Sequence, residues 1–311
     1  MAQPNYIKLA MLARMPEAAD RSVAYLCQNI RRFLKQNEQV LILFPKKEDA
    51  FCQILDRAVV ACGCVPVWIG EDRRWMTLLK TAFTSRCSCL VGSPLLLLGL
   101  SKLAKQMRTP LNVTNVLMAG YPTTAWLVDG VRQNLDCMAW GCFDPGDGAV
   151  IGGFTCKQLD GVHIRAEEYT VVIEDEKGHD LPDGERGRVV LYPNSDPTLR
   201  FVVGDSGRFD TQSCSCGSAD PKLVDLDVLK MGDDDISHLG ESLHYWSSVL
   251  DCRMEKTECG MELELIVFPG EKLPKLPTVA KQIIRPFDPE TDVPFEHQEV
   301  LKKRFISANN H

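Results

Sequence analysis

The apolar residues of the first 138 positions recur with two periods, one typical of amphipathic helices and one typical of buried strands. The first helical face has apolar residues three or four positions apart, at Val23, Leu26, Cys27, Ile30, Phe33 and Leu34. The pattern then predicts strands at 39–44, 65–69, 88–91 and 115–118, and further helices at 48–61, 75–83, 95–107 and 124–134. Such alternation predicts a doubly wound, mostly parallel sheet covered by helices, as in α/β proteins.

The turns that follow the predicted strands are the expected place for a small-molecule site. They lie at 44–46, 69–71, 91–94 and 119–122 and are polar or contain Gly or Pro. Ligands of open α/β sheets bind outside the carboxyl ends of the strands. The simpler interpretation, that each of these segments is only a turn, stays open.

The pattern changes after about position 138. Short β-branched or aromatic runs at 169–174, 187–192 and 199–203 are separated by turn-forming residues, which predicts a mostly antiparallel β subdomain. After position 217, a helical stripe is predicted at Ile236, Leu239, Leu243, Trp246 and Leu250. A hairpin at 251–256 and 261–268 follows. The proline-rich stretch 270–294 predicts a wrapping arm or linker, and 297–305 a last short helix.

Composition and charge restrict the class of protein. The chain has 311 residues, of which 45% are hydrophobic and 25% charged, and its net charge is −7. This composition is typical of a globular protein, and the negative charge argues against a nucleic-acid partner. The N-terminus lacks the order of a secretory signal, and the most apolar run, 90–100, is too short to cross a membrane. With 13 cysteines and no export signal, we expect a cytoplasmic location and reduced thiols.

Four residues form a candidate metal site: Cys156, His163, Cys214 and Cys216. Zinc prefers thiolate and imidazole ligands, and its structural sites usually have four protein ligands. The run 214–217, Cys-Ser-Cys-Gly, is polar and turn-like, which is unfavourable for core cysteines. The alternative is a set of unrelated buried cysteines with a surface histidine. The Cys-x-Cys pairs at 62–64 and 87–89 lie among apolar residues, so for them we predict core packing.

These observations predict three domains. They are an α/β sheet domain at 1–138, a zinc-pinned β subdomain at 139–222, and a small α+β C-terminal piece with the proline-rich arm at 223–311.

The segments 160–164, 168–175, 178–187, 200–201 and 204–208 together resemble adenylate-forming, AMP-binding ligases. Their order and spacing are most similar to the phenylacetate–coenzyme A ligase branch, over about a third of the chain. Such ligases join a carboxylate to ATP, release pyrophosphate and pass the acyl group to a thiol. The resemblance therefore implies ATP or AMP and Mg²⁺ as cofactors and a small carboxylate as substrate. The branch also carries cysteines near positions 156, 214 and 216, which favours structural zinc.

The resemblance assigns nucleotide-binding roles to five residues: Gly120, Tyr121, Asp144, Asp205 and Arg208. Asp205 matches the aspartate that holds the ribose hydroxyls, and Arg208 ends the same turn. Gly120 and Tyr121 occupy a turn that lies beside adenine in the family, but the family's acidic residue is missing. Asp144 matches an acidic residue that serves Mg²⁺.

Three departures from the family pattern concern the chemistry itself. The region 11–17, where a glycine-rich phosphate loop is expected, contains no glycine, although backbone N–H groups must approach phosphates closely. Phe143 replaces a threonine, and Lys302 and Lys303 lack the turn that precedes the family's terminal catalytic lysine. The alternative is that basic residues supply the missing groups, and the candidates are Arg14, Lys46 and Lys47.

Three functions remain as hypotheses. The first is a degenerate relative of carboxylate–CoA ligases that binds a nucleotide or an acyl or aryl ligand with little or no adenylation. The second is an active carboxylate–thiol ligase with diverged motifs. The third is a non-catalytic interaction subunit whose proline-rich arm and C-terminal helix dock a partner protein. The arm itself needs a surface to lie on, either its own sheet domain or a second copy in a homodimer.

Overall fold

The computed structural model describes residues 16–44, 50–120, 123–143, 151–198, 200–228, 246–257, 260–270 and 281–295. These residues form a mixed α/β structure with an eleven-stranded sheet and a separate three-stranded sheet. The predicted last helix at 297–305 and most of the predicted stripe from Ile236 lie outside the described residues.

The first half of the large sheet is parallel, as predicted. Its strands are β1 Gln39–Ile42, β2 Val65–Trp68, β3 Cys89–Gly92, β4 Asn115–Met118 and β5 Met138–Phe143. They lie in the order β2-β1-β3-β4-β5, and every neighbouring pair is parallel. The helices are α1 Pro16–Ile30, α2 Ala50–Ala61, α3 Trp75–Thr84, α4 Pro94–Gln106 and α5 Ala125–Leu135.

Alternate residues of the parallel strands supply two hydrophobic cores, one on each face of the sheet. In β1, Val40 and Ile42 join one core, whereas Leu41 joins the other. Successive side chains of a strand point to opposite faces, so a sheet that buries both faces needs apolar residues at every position. This explains the continuous apolar runs from which the strands were predicted. Among the described residues, none of the helices has the length and apolar character that a membrane crossing requires.

The second half of the large sheet is antiparallel, also as predicted. Its strands are β6 Gly153–Thr155, β7 Val162–Ile164, β8 Tyr169–Glu174, β9 Gly187–Pro193, β10 Phe201–Phe209 and β11 Lys222–Val228. They continue from β5 in the order β6-β7-β11-β10-β9-β8. The predicted boundary after 138 falls within β5, and the boundary after 222 follows the first residue of β11. The division of the chain into three domains stays a prediction.

The small sheet corrects two predictions for the C-terminal part. The expected hairpin is present as β12 Val249–Thr257 and β13 Gly260–Val267. Leu250, predicted to end a helical stripe, lies in strand β12 because the residues on either side of it, Val249 and Asp251, pair with β13. The predicted arm contains a strand, β14 Lys281–Pro286, which pairs parallel with β13. The arm therefore packs on its own chain, and Phe287 is buried against Phe268.

Helix α4 joins the small sheet to the core of the large one. The buried Lys102 donates hydrogen bonds to the carbonyl oxygens of Trp246 and Val249, at 3.1 and 3.0 Å. Burial lowers the pKa of Lys102 to about 8. One turn earlier, a Cβ on Gly99 would lie 2.5 Å from Trp75 Cη2 and 3.0 Å from the Leu250 carbonyl oxygen. The absence of a side chain at Gly99 thus permits α3, α4 and β12 to meet.

We predict that Gly99→Ala destabilises the fold, because overpacking costs about 1–3 kcal/mol and exceeds the roughly 1 kcal/mol that Ala contributes within a helix. Urea unfolding should show a lower midpoint. Gly70→Ala is the control, since a Cβ at Gly70 meets nothing within 4 Å. Equal stability of the two variants would contradict the conclusion that α3, α4 and β12 pack closely at Gly99.

Candidate functional site

The sheet brings together the four predicted metal ligands, although they come from distant parts of the chain. Cys156 directly follows β6, and His163 lies in β7. Cys214 and Cys216 lie in the turn between β10 and β11, and β11 pairs with β7 so that Lys222 is opposite His163. The four ligand atoms all lie within 4.8 Å of one another. Cys156 and His163 are buried, and the two turn cysteines are half-buried.

The spacing of the ligand atoms agrees with a tetrahedral zinc site. Cys156 Sγ lies 3.6 Å from Cys214 Sγ, and Cys216 Sγ lies 3.3 Å from His163 Nε2. A zinc ion with Zn–S of about 2.3 Å and Zn–N of about 2.0 Å separates two sulfurs by about 3.8 Å and a sulfur from a nitrogen by about 3.5 Å. These two pairs are therefore spaced within about 0.2 Å of the distances that such an ion sets.

A second layer of hydrogen bonds orients these ligands. His163 Nδ1 lies 3.0 Å from the carbonyl oxygen of Asp220, which only accepts, so Nδ1 carries the proton and Nε2 is left for a metal. The backbone N–H groups of Gln158 and Ser218 each donate, at 3.4 Å, to the sulfur two residues earlier, Cys156 and Cys216. Donors of this kind stabilise thiolates.

The thiols of the cluster differ in acidity. Burial raises the pKa of Cys156 to about 11. Burial also acts to raise the pKa of Cys216, but hydrogen bonds from the Ser218 N–H and from the neighbouring thiols lower it below its ordinary value. Because like charges repel at these distances, three thiolates need a cation between them.

The remaining Cys-x-Cys pairs are core residues, as predicted. Cys62, Cys64, Cys87 and Cys89 are all buried in the two cores of the parallel half or beside them.

The structure places only part of the predicted nucleotide site. Gly120 follows β4 with a positive φ of 76°, whereas Tyr121 and Asp144 lie outside the described residues. Asp205 lies in β10, where its backbone pairs with Val228. Arg208 Nε donates to Asp225 Oδ2 at 2.5 Å. Four strands, β5, β6, β7 and β11, lie between β4 and β10 in the sheet. The strand order alone therefore does not bring Gly120 close to Asp205 and Arg208.

Two threonine hydroxyls that sequence reasoning missed lie at the carboxyl end of β4. Thr124 is the N-cap residue of α5 and is 5% exposed. The hydroxyl oxygens of Thr123 and Thr124 are both buried without a hydrogen-bond partner among the described residues. Helix N-termini attract anions and hydrogen-bond acceptors. The signal was the pair of threonines directly before an apolar helix, which is typical of an N-cap.

In the neighbouring strand β5, a glycine permits the Thr123 side chain to approach closely. A Cβ on Gly141 in β5 would lie 3.0 Å from the Cβ, Cγ2 and Oγ1 atoms of Thr123. The backbone N–H of Gly141 donates to Thr155 Oγ1 at 2.8 Å. Two residues later, Phe143 is buried in the core of the antiparallel half. The edge formed by β4 and β5 is therefore polar at Thr123 and Thr124 and apolar at Phe143.

Comparison with solved structures identifies the class of this fold. A 2-hydroxyisobutyryl-CoA ligase in the postadenylation state superposes with a TM-score of 0.67 at 12% identity, over 92% of this chain and 72% of that chain. A benzoate CoA ligase from Burkholderia xenovorans LB400 gives 0.61 at 11% identity, over 90% and 65%. The anthranilate CoA ligase AuaEII, in complex with anthranoyl-AMP, gives 0.60 at 14% identity, over 92% and 64%.

The chain therefore has the fold of adenylate-forming ligases, as its motifs suggested. It spans somewhat less than two thirds of the benzoate and anthranilate ligase chains. No protein-family model matches the sequence, and no curated protein matches it significantly. At these identities the likeness concerns the fold, so activity has to be argued from the chain's own residues.

Proposed function

We propose that this protein is a degenerate relative of AMP-forming carboxylate–CoA ligases, which binds a nucleotide or an acyl or aryl ligand and adenylates carboxylates slowly or not at all. The observation that carries the proposal is the difference between polar and apolar side chains along the edge formed by β4 and β5. The hydroxyls of Thr123 and Thr124 have no partner there among the residues that the structure describes, whereas Phe143 is a core side chain at the position where the family has a threonine.

The binding half of the proposal rests on the carboxyl ends of β4 and β5. Ligands of open α/β sheets bind at this edge. The positive φ of Gly120 turns the chain there, and Gly141 presents no side chain toward Thr123. A ligand that accepts hydrogen bonds, such as a purine ring or a phosphate, would satisfy the two threonine hydroxyls. Support also comes from the anthranilate ligase, which is solved with anthranoyl-AMP.

The proposed loss of adenylation activity follows from the groups that this reaction requires. Attack on the α-phosphate develops charge that preorganised donors or a metal must meet, and removal of one such donor typically costs about 2.7–4 kcal/mol, or ~100- to 1,000-fold in rate. A phenylalanine offers no hydroxyl, and Phe143 is held in place by its packing. Residues 11–17, where the resemblance places the phosphate loop, contain no glycine. Several missing groups together would leave little turnover, although such effects do not add simply.

We predict that Thr123→Val weakens AMP binding by roughly two- to tenfold in Kd, since one neutral hydrogen bond contributes about 0.5–1.5 kcal/mol. Isothermal titration calorimetry measures the change. Thr114→Val is the matched control, because Thr114 directly precedes the same strand at its amino end, where its hydroxyl already bonds Ser88 and Asn115. An equal effect of both substitutions would place the nucleotide elsewhere.

Carboxylate-dependent pyrophosphate exchange should remain near background with a panel of carboxylates, and AMP should bind at least as tightly as ATP. Robust exchange that Asp205→Ala abolishes would show that the diverged motifs still catalyse and that the chain is an active ligase. Failure of AMP, ATP and the carboxylates to bind at all would favour the interaction-subunit hypothesis. The three outcomes separate the three functions.

We further propose one structural zinc ion on Cys156, His163, Cys214 and Cys216. Four protein ligands leave no open position for a reactive water, so the metal would hold the β6–β7 turn against the β10–β11 turn. The spacing of the ligand atoms and the orientation of His163 by Asp220 support the choice.

Metal analysis of protein purified without added zinc should give close to one zinc per chain, and chelation should lower the thermal unfolding midpoint because the ion binds only the folded state. Cys216→Ser should remove most of the metal. Cys137→Ser is the control, since Cys137 is buried at a distance from the cluster. A stoichiometry near zero in the unaltered chain would rule out the site.

A further inference from the structure

Two buried cysteines outside the metal cluster lie unusually close together. Cys27 of α1 and Cys62, which directly follows α2, have their sulfur atoms 3.1 Å apart although they are 35 positions apart in the chain. Each is 6% exposed. A disulfide bond has an S–S length of about 2.05 Å, so a movement of about 1 Å would suffice to form one.

An open cleft gives access to one member of the pair. The cleft has a volume of about 450 Å³ and runs between α1 and the end of α2, lined in part by Asp20, Cys27, Arg31 and Ala61. Cys62 is not among the residues that line it. A small oxidant that enters the cleft therefore meets Cys27 first.

In the contact between the two cysteines, one thiol donates a hydrogen bond and the other accepts it. Cys62 is the donor toward Cys27, whose sulfur and carbonyl oxygen lie at 3.1 and 3.3 Å. The Cys27 sulfur is therefore the acceptor in this contact. Arg31, which bonds the carbonyl oxygen of Ala61 at 2.8 Å, adds positive charge to the wall of the cleft. Burial raises the pKa of Cys62 to about 12, so Cys62 keeps its proton until it reacts.

We propose that Cys27 and Cys62 form a dithiol–disulfide site, in which Cys27 is oxidised by a hydroperoxide and Cys62 resolves the product. The Cys27 thiolate attacks the peroxide O–O bond and becomes a sulfenic acid, and with hydrogen peroxide the displaced oxygen leaves as water after taking up the thiol proton. Cys62 sulfur then attacks the Cys27 sulfur, the S–O bond breaks, and the hydroxyl leaves with the Cys62 proton as a second water. The two thiols lose two electrons and two hydrogens, and the peroxide is reduced.

The disulfide would tie α1 covalently to the end of α2. Helix α1 also contacts the antiparallel half of the sheet, because Arg21 pairs with Glu168 and Arg165 lies 4.9 Å above the Tyr25 ring. Cross-linking long loops restricts the unfolded chain and stabilises the fold. Oxidation of this site should therefore raise the thermal midpoint, and a dithiol reductant should reverse the rise.

The test uses the full chain with its metal bound, treated with hydrogen peroxide and then with a maleimide that blocks free thiols. Trypsin releases Cys27 within 22–31 and Cys62, together with Cys64, within 58–73. Mass spectrometry should find these two peptides cross-linked, with the loss of two hydrogens. Because neither peptide contains a candidate metal ligand, oxidation of those ligands does not interfere.

Cys64→Ser is the matched control, since Cys64 lies on the same peptide, is also buried and bonds Lys35 instead. The cross-link should persist in Cys64→Ser and be lost in Cys62→Ser. In Cys62→Ser, dimedone should label a lasting sulfenic acid at Cys27, which keeps the test valid even if that variant is less stable. Absence of the cross-link in the unaltered chain, or its formation through Cys64, would overturn the proposal.

Discussion

The backbone of a single strand, β5, connects the two halves of this structure. Its residues from Met138 to Gly141 pair in parallel with β4, and Cys142 and Phe143 pair antiparallel with β6. In the strand order β4-β5-β6 these two partners lie on opposite edges of β5, so this strand is where the sheet changes from parallel to antiparallel pairing. Where the two ladders meet, the N–H of Gly141 donates to Thr155 Oγ1 at 2.8 Å. The antiparallel strands of the large sheet therefore join the parallel strands through β5.

The side chains of β5 join three hydrophobic cores. Ala139 joins one core of the parallel half, Trp140 and Cys142 join the other, and Phe143 joins the core of the antiparallel half. Trp140 stacks on Phe33 at 4.7 Å and donates to Asn115. Phe143 thus contributes apolar burial where the parallel half meets the antiparallel half.

Helix α1 connects the two halves a second time, whereas the four candidate metal ligands connect strands within the antiparallel half. Arg165 is 4% exposed, yet it bonds Glu167 and Glu168 and covers the ring of Tyr25 in α1. Burial of an arginine is tolerated when its charge is paired, as it is here. The four candidate metal ligands, in turn, bring the end of β6 and strand β7 close to the β10–β11 turn.

The residue pattern alone predicted the helices and strands of the parallel half, because their period depends only on which faces are buried. It also singled out the candidate metal ligands by residue type, since few other roles suit a polar Cys-Ser-Cys turn at 214–216. Local patterns do not contain the pairing of distant segments. Leu250 lies in β12 because the residues on either side of it pair with β13, and the proline-rich arm contributes β14, which completes a ladder with β13. The hydroxyls of Thr123 and Thr124, which lack a partner among the described residues, and the contact of Cys27 with Cys62 arise only where distant segments pack, since both depend on distances between atoms that sequence spacing does not set.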